Sequence, residues 1–236
     1  MNEVEKNEEL AFYWYEQSAK QGNDRSMYKI ALFYEKGIAC EQDLQMAFYW
    51  YEQSAKLGNN ILAINMILLQ SFYIFSYFTD GFAYAGEALV GKFVGSKDKE
   101  NLQKVIRLLL IWGFSISIPF SILYALFPTE FVKIISDNTE ILTEIKPYYI
   151  YMIIIPLITF AAFIWDGIYI GATASKAIRN TMIISSIFVF IPSWYILMPR
   201  FGNHGLWIAF LFFMIARGTA MSLMYKKNIV NVVKNN

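Results

Sequence analysis

Hydrophobic and polar positions follow two regimes along the chain. From Glu8 to Leu57 large apolar residues recur at near-helical spacing, as with Leu10, Phe12, Tyr13 and Tyr15 in "LAFYWYEQSAKQGN", where "QGN" supplies a stop. "DRSMYKIALFYEKG" predicts a second helix, with Asp24 as N-cap and Gly37 as its stop. "IACEQDLQ" is a connector, and "MAFYWYEQSAKLGN" predicts a third helix. From Ile61 onward the amphipathic pattern gives way to long apolar runs. Five are predicted to span a membrane: Ile61–Gly95, Val105–Phe127, Tyr148–Ala172, Met182–Met198 and Gly205–Tyr225. Each meets or approaches the roughly 20 residues that a helix needs to cross a bilayer core.

The amphipathic part repeats itself. "AFYWYEQSAK" occurs at Ala11–Lys20 and again at Ala47–Lys56, an offset of thirty-six residues. A period of about 20–50 residues marks stacked supersecondary units. There is one complete unit plus a preceding second helix, and no third copy. About three units are needed to bury a continuous core, so this segment is expected to be marginal alone. "MYKIALFYEKGIACEQDLQMAFYWYEQSAKLGN" resembles a Sel-one-like repeat. Its marks are Ala31 and Tyr34 in the first helix, "EKG", Asp43 in the loop, then Ala47 and "WYEQSAKLGN". The resemblance covers roughly residues 8–60 and implies a protein-binding α-α solenoid without catalytic chemistry; a generic helical hairpin is the alternative.

Composition agrees with two regimes. The 236 residues are 56% hydrophobic, 18% aromatic and only 17% charged, against about 25% charged in an ordinary soluble domain. Residues 1–60 carry ten acids and six bases, and the remaining 176 carry nine acids and fourteen bases. The net +1 thus averages an acidic segment and a basic one, and no basic patch suggests a nucleic-acid partner. Cys40 is the sole cysteine, which excludes an internal disulfide. "MNEVEKNEEL" lacks the features of a cleavable signal peptide.

Lysine and arginine placement sets an orientation. Lys92, Lys97, Lys99, Lys104 and Arg107 lie between spans one and two, Lys176 and Arg179 between three and four, and Lys226 and Lys227 after five. The other loops mix Lys133, Lys146 and Arg200 with Glu130, Asp137, Glu140 and Glu144. The first set is expected to be cytoplasmic, with the C-terminus inside a bacterial inner (plasma) membrane. An odd span count then puts the repeat segment outside.

Three ordered motifs carry a second resemblance: "DGFAYAGEALVGKFVGSKDKENLQKVI", "FIWDGIYIGATASKAIRNTMIIS" and "GNHGLWIAFLFFMIARGTAMS". They resemble the second lobe of a multidrug and toxic-compound extrusion (MATE) transporter of the DinF-like branch, over about Asn60–Lys227. The family is built of twelve spans in two six-helix lobes, and the five spans here match helices eight to twelve. The resemblance implies extrusion of an organic cation or drug-like substrate in exchange for H+ or Na+, with no other cofactor. It also implies that one chain lacks the first lobe and the seventh helix, so that a second copy or a separate first-lobe chain would complete a pore within the membrane lipid.

Ionisable groups at membrane depth are costly and mark ion paths, which singles out Asp166 in "FIWDGIYIG". The resemblance matches it to an acid of the tenth helix that helps bind the coupling cation. The bland alternative is an acid held by tyrosines or a backbone amide. Asp80 and Glu87, two turns apart on one helix face, combine with Phe72, Phe75, Phe78, Phe82 and Tyr84 to suggest an aromatic cavity suited to a lipophilic cation. Packing is the alternative for the aromatics, and pairing with a cytoplasmic base for Glu87. Arg217 is expected to snorkel to the interface or, failing that, to pair with Glu87. Gly91 and Gly95 suggest a helix end and tight turn, Pro119, Pro156 and Pro192 suggest kinks, and His204 falls in an outer loop. No metal-ligand spacing, nucleophile–base pair or phosphate loop points to an enzyme.

The expectation is an all-α polytopic transmembrane bundle. It has a repeat segment at 1–60, a membrane lobe at 61–227 and a tail at 228–236. Membrane transport leads, and two readings stay open beside it: a membrane-anchored interaction module and an inert fusion or truncation product.

Overall fold

A computed structural model describes residues 3–231 and 233, with side chains from residue 7 onward. Among the described residues there are helices and no strands. The chain divides into two compact units, Met1–Asn65 and Met66–Asn236.

The first unit holds α1 (Glu3–Lys20), α2 (Asp24–Lys36) and the start of α3 (Leu44–Gly95). The N-cap of α2 is Asn23 rather than Asp24: its side-chain oxygen accepts from the Ser26 amide at 2.9 Å. Asp24 instead occupies the first turn, where its charge complements the helix dipole. Gly37 ends α2 at φ 63°, a left-handed conformation that glycine adopts without a Cβ penalty.

α2 lies between the two copies of the repeated decapeptide, and each copy offers it a different face. The first contributes Phe12, Tyr15 and Ala19, the second Ala47, Trp50 and Ser54. These are i, i+3, i+7 stripes offset by one position, so one sequence carries two adjoining apolar faces. Trp14 is consequently 61% exposed and its repeat equivalent Trp50 only 9%. Ser26 Oγ donates to Ser18 Oγ at 2.8 Å, while Tyr51 Oη donates to Glu35 at 2.6 Å and Ser54 Oγ to the Asp24 carbonyl at 3.0 Å.

The second unit contains the remainder of α3, followed by α4 (Lys99–Leu126), the short α5 (Pro128–Ile135) and α6 (Thr139–Glu144), and α7 (Tyr149–Gly171). α8 (Ser175–Ser185) and α9 (Ile191–Phe201) are joined by a π-turn at Ser186–Phe190. α10 (Asn203–Tyr225) runs into a second π-turn at Lys226–Val230. Five helical segments are long and apolar enough to cross a membrane: Leu44–Gly95, Lys99–Leu126, Lys146–Gly171, Ser175–Phe201 and Asn203–Val230. The count matches the sequence expectation. The first begins earlier, because neither Gly58 nor the two asparagines after it interrupt α3.

α7 is the central helix, packed on both α4 and α10. Apolar burial adds little to helix association where lipid tails are equally apolar, so close backbone approach matters more. Gly167 and Gly171 provide it: a Cβ at Gly167 would lie 2.1 Å from the Ala83 carbonyl oxygen, and one at Gly171 would lie 2.4 Å from that of Glu87. Gly91 is no turn residue. It sits inside α3, where an added Cβ would meet the Gly171 carbonyl at 3.4 Å. The expected end falls at Gly95, and Asp98 then caps α4, accepting from the Asn101 amide at 3.0 Å and from its side chain at 2.6 Å. Those bonds hold the Asp98 carboxyl below its usual range.

The expected tail is partly core. Ile229, Val230 and Val233 are buried against Val90, Leu102 and Trp165, because three apolar residues there continue the inward face of α10. Positions 232 and 234–236 of that tail lie outside the described residues.

Candidate functional site

Asp166 projects from the C-terminal part of α7, five residues before its end, and Arg217 from α10, eight residues before its end. Arg217 Nη2 donates to Asp166 Oδ2 at 2.5 Å, and Arg217 retains 7% of its exposure. The snorkelling expectation fails on this point, and so does pairing with Glu87. Arg217 lies two turns before the end of α10, and an opposite charge within reach at membrane depth outweighs extension to the interface. The pair is incompletely satisfied. Asp166 Oδ1 and Arg217 Nε are buried without a hydrogen-bond partner, which leaves one acceptor and one donor for another occupant.

The α3–α7 seam brings the other two acids alongside. Gly167 adjoins Ala83, so Asp80, one turn before Ala83, falls on the Asp166 side and interacts with it electrostatically. Glu87 lies a turn further on, against Gly171. Both acids are partly buried. Glu87 has no ion pair among the described residues, so the expected pairing with a loop base is not made there.

Of the aromatic residues expected to line a cavity, Phe72, Phe75 and Phe82 pack instead, and Phe78 touches Phe120 but is 58% exposed. Phe72 meets Phe163 and Phe210 at ring distances of 5.6 and 5.4 Å, and Phe75 and Phe78 both meet Phe120, at 5.4 and 5.0 Å. Tyr84 is exposed. Further hydrogen bonds fix α7 against its neighbours: Trp165 Nε1 donates to Ser222 Oγ at 2.7 Å, and Tyr169 Oη to the Met221 carbonyl at 2.8 Å. His204 is helical rather than in a loop. It stacks on Tyr148 at 4.2 Å, and its Nδ1 lies 3.0 Å from Tyr151 Oη.

A groove of about 940 Å3 opens between α4, α7 and α10. Its lining includes Lys104, Arg107, Phe114, Phe160, Trp165 and Lys226, and none of the three acids. Sequence reasoning missed this groove, although the α4 residues that form it follow a helical stripe from Glu100 to Phe114.

The MatE family model matches residues 44–196. The chain belongs to the MatE family. Sel1 repeats match residues 2–23 and 24–59 of the same MatE chain, so the two matches overlap at the start of α3. The MatE chain is similar to DNA damage-inducible protein F of Escherichia coli (strain K12), at 29% identity over 169 residues, 72% of this chain and 36% of that protein. It is also similar to Protein DETOXIFICATION 45, chloroplastic, of Arabidopsis thaliana, at 24% identity over 173 residues, 70% of this chain and 30% of that protein. The MatE chain therefore spans about a third of the length of the curated relatives it matches. No solved structure matches it. Five apolar helices and this membership make it a multi-pass membrane protein.

Proposed function

We propose that this chain is the ion-coupling part of a MATE-type antiporter that exports an organic cation or drug-like molecule in exchange for H+ or Na+. The observation that carries the reading is the Asp166–Arg217 pair, a carboxylate at membrane depth already holding an internal cation. A coupling ion that reaches Asp166 competes with the guanidinium. Protonation removes the charge that holds Arg217, and Na+ takes over the oxygen that Arg217 releases. Either event loosens α7 from α10, the kind of two-state contact on which alternating access depends. Asp80 is the neighbouring carboxylate that receives the ion or Arg217 in the exchanged state.

Alternating access also needs a second bundle, so the working unit includes a second copy or a separate first-lobe chain. We place the α3–α4 loop and the C-terminus on the cytoplasmic side of a bacterial inner membrane, an orientation that the Lys and Arg distribution supports. A second reading, a membrane-anchored interaction module, is favoured by the Sel1 match and by the exposed Trp14 and Phe48 on the repeat unit.

The test is dye and drug retention in cells lacking efflux pumps. These cells would express the chain alone or with a first-lobe chain, with Asp166→Asn as control. Lower retention that Asp166→Asn abolishes is expected. Unchanged retention in both settings, with no effect of the variant, would sink the transport reading.

A further inference from the structure

The groove between α4, α7 and α10 has two chemically distinct ends. Along α4 its lining runs Glu100, Gln103, Lys104 and Arg107, then Leu110, Ile111 and Phe114. This is one helical stripe that turns from mainly polar to mainly apolar, with Ile106 and Ser115 as the exceptions, over about 15 Å between Lys104 and Phe114 at ~1.5 Å per residue. Across the groove, Tyr225 and Lys226 stand at the end of α10, with Trp165 and Phe160 of α7 forming the floor. Glu100 is engaged with Lys104 at 2.6 Å. Arg107 and Lys226 are exposed and have no partner among the described residues. Trp165 spends its only donor on Ser222 and is 1% exposed, so its ring lies as an apolar layer beneath the groove.

We infer that this groove binds an anionic phospholipid, its headgroup phosphate between Arg107 and Lys226 and one acyl chain along Ile111, Phe114 and Phe160. The charge decides the class of occupant. An organic cation is repelled by two unpaired bases at the mouth, and a zwitterionic headgroup finds its one carboxylate, Glu100, already bonded. Basic pockets between membrane helices are suited to anionic headgroups. The volume of about 940 Å3 lies at the upper end of small-ligand sites, enough for a headgroup and the start of an acyl chain. The inference needs a membrane but not transport, so it stands whether or not the antiport reading holds.

The experiment reconstitutes the full chain in nanodiscs that contain phosphatidylglycerol or phosphatidylcholine with dibrominated acyl chains. The readout is the part of the tryptophan quenching that is lost in Trp165→Phe. Stronger Trp165-dependent quenching by the brominated phosphatidylglycerol is expected. Arg107→Gln and Lys226→Gln should each reduce that preference about fivefold, from roughly 1 kcal/mol per basic group near an anionic lipid surface. Arg107→Lys should keep the preference. So should Lys227→Gln, which removes a neighbouring charge outside the groove. Absent Trp165-dependent quenching would overturn the inference, and is the result expected if another helix fills the groove. Equal quenching by the two lipids would overturn it too, as would a Lys227→Gln loss matching that of Lys226→Gln.

Discussion

Arg217 Nη2 donates to Asp166 Oδ2 at 2.5 Å, and this ion pair joins the Trp165–Ser222 and Tyr169–Met221 hydrogen bonds in tying α10 to α7. Removing one partner of such a pair leaves the other as an uncompensated charge, at about 3–5 kcal/mol for buried pairs. Asp166 keeps about a quarter of its side-chain exposure, so the lower end, about 3 kcal/mol, is expected for Arg217→Met or Asp166→Ala. The double variant should lose less than the sum of the two, because neither charge is then stranded. Thermal unfolding of the detergent-solubilised chain would measure this, and additive losses would show that the pair does not act as a unit.

The Ala83 carbonyl lies where a Cβ of Gly167 would have to be. Gly167→Ala is therefore expected to force α3 and α7 apart, at about 1–3 kcal/mol or more, as overpacking does. Gly171→Ala should behave alike against Glu87. Gly81→Ala is the matched control. It also lies in α3, a Cβ there meets nothing within 4 Å, and alanine is the better helix former by about 1 kcal/mol. The monodisperse fraction and unfolding temperature of the three variants should separate accordingly; similar losses in all three would refute the close-approach account.

Much of the membrane unit was legible because hydropathy and length alone report spans. All five were placed, and their ends differ where helix continuity or packing decides them: α3 runs unbroken from Leu44, and Ile229 and Val230 extend the core past Lys227. The candidate site was legible as residues but not as contacts. Asp166 and Arg217 stand out as charges in apolar runs, but their pairing depends on how α7 and α10 cross, which no local pattern encodes. The same limit explains the aromatic residues. Phe72 and Phe75 can line a cavity or fill one, and only the positions of Phe120, Phe163 and Phe210 decide for packing.

The repeated decapeptide allows an internal comparison. Trp14 and Trp50 occupy equivalent places in identical sequences, yet only Trp50 faces α2. Trp50→Ala is expected to destabilise the repeat unit by about 3–5 kcal/mol. Trp14→Ala should stay within about 0.5 kcal/mol, as for an exposed site. Limited proteolysis of the full chain, followed at the α2–α3 connector, would report the difference. Equal sensitivity of the two variants would mean that both copies are packed on this face.

Cys40 gives a prediction that depends on pH. It lies partly buried in the connector after α2, with its Sγ donating to the Phe33 carbonyl at 3.5 Å. Burial first, and then the Asp43 carboxylate, raise its pKa, since both disfavour the thiolate. The thiolate is the species that reacts, so at neutral pH iodoacetamide should label Cys40 more slowly than a free thiol. The rate should climb only at a pH above the free-cysteine value of about 8.5. Asp43→Asn should speed labelling at a given pH, and denaturant should abolish the difference. The linkage has a definite sign. The unfolded thiol ionises first, so as pH rises past its pKa the unfolded state holds fewer protons than the folded one, and the repeat unit loses stability until the folded pKa is passed. Labelling as fast as glutathione at neutral pH, unchanged by Asp43→Asn, would contradict this placement of the thiol.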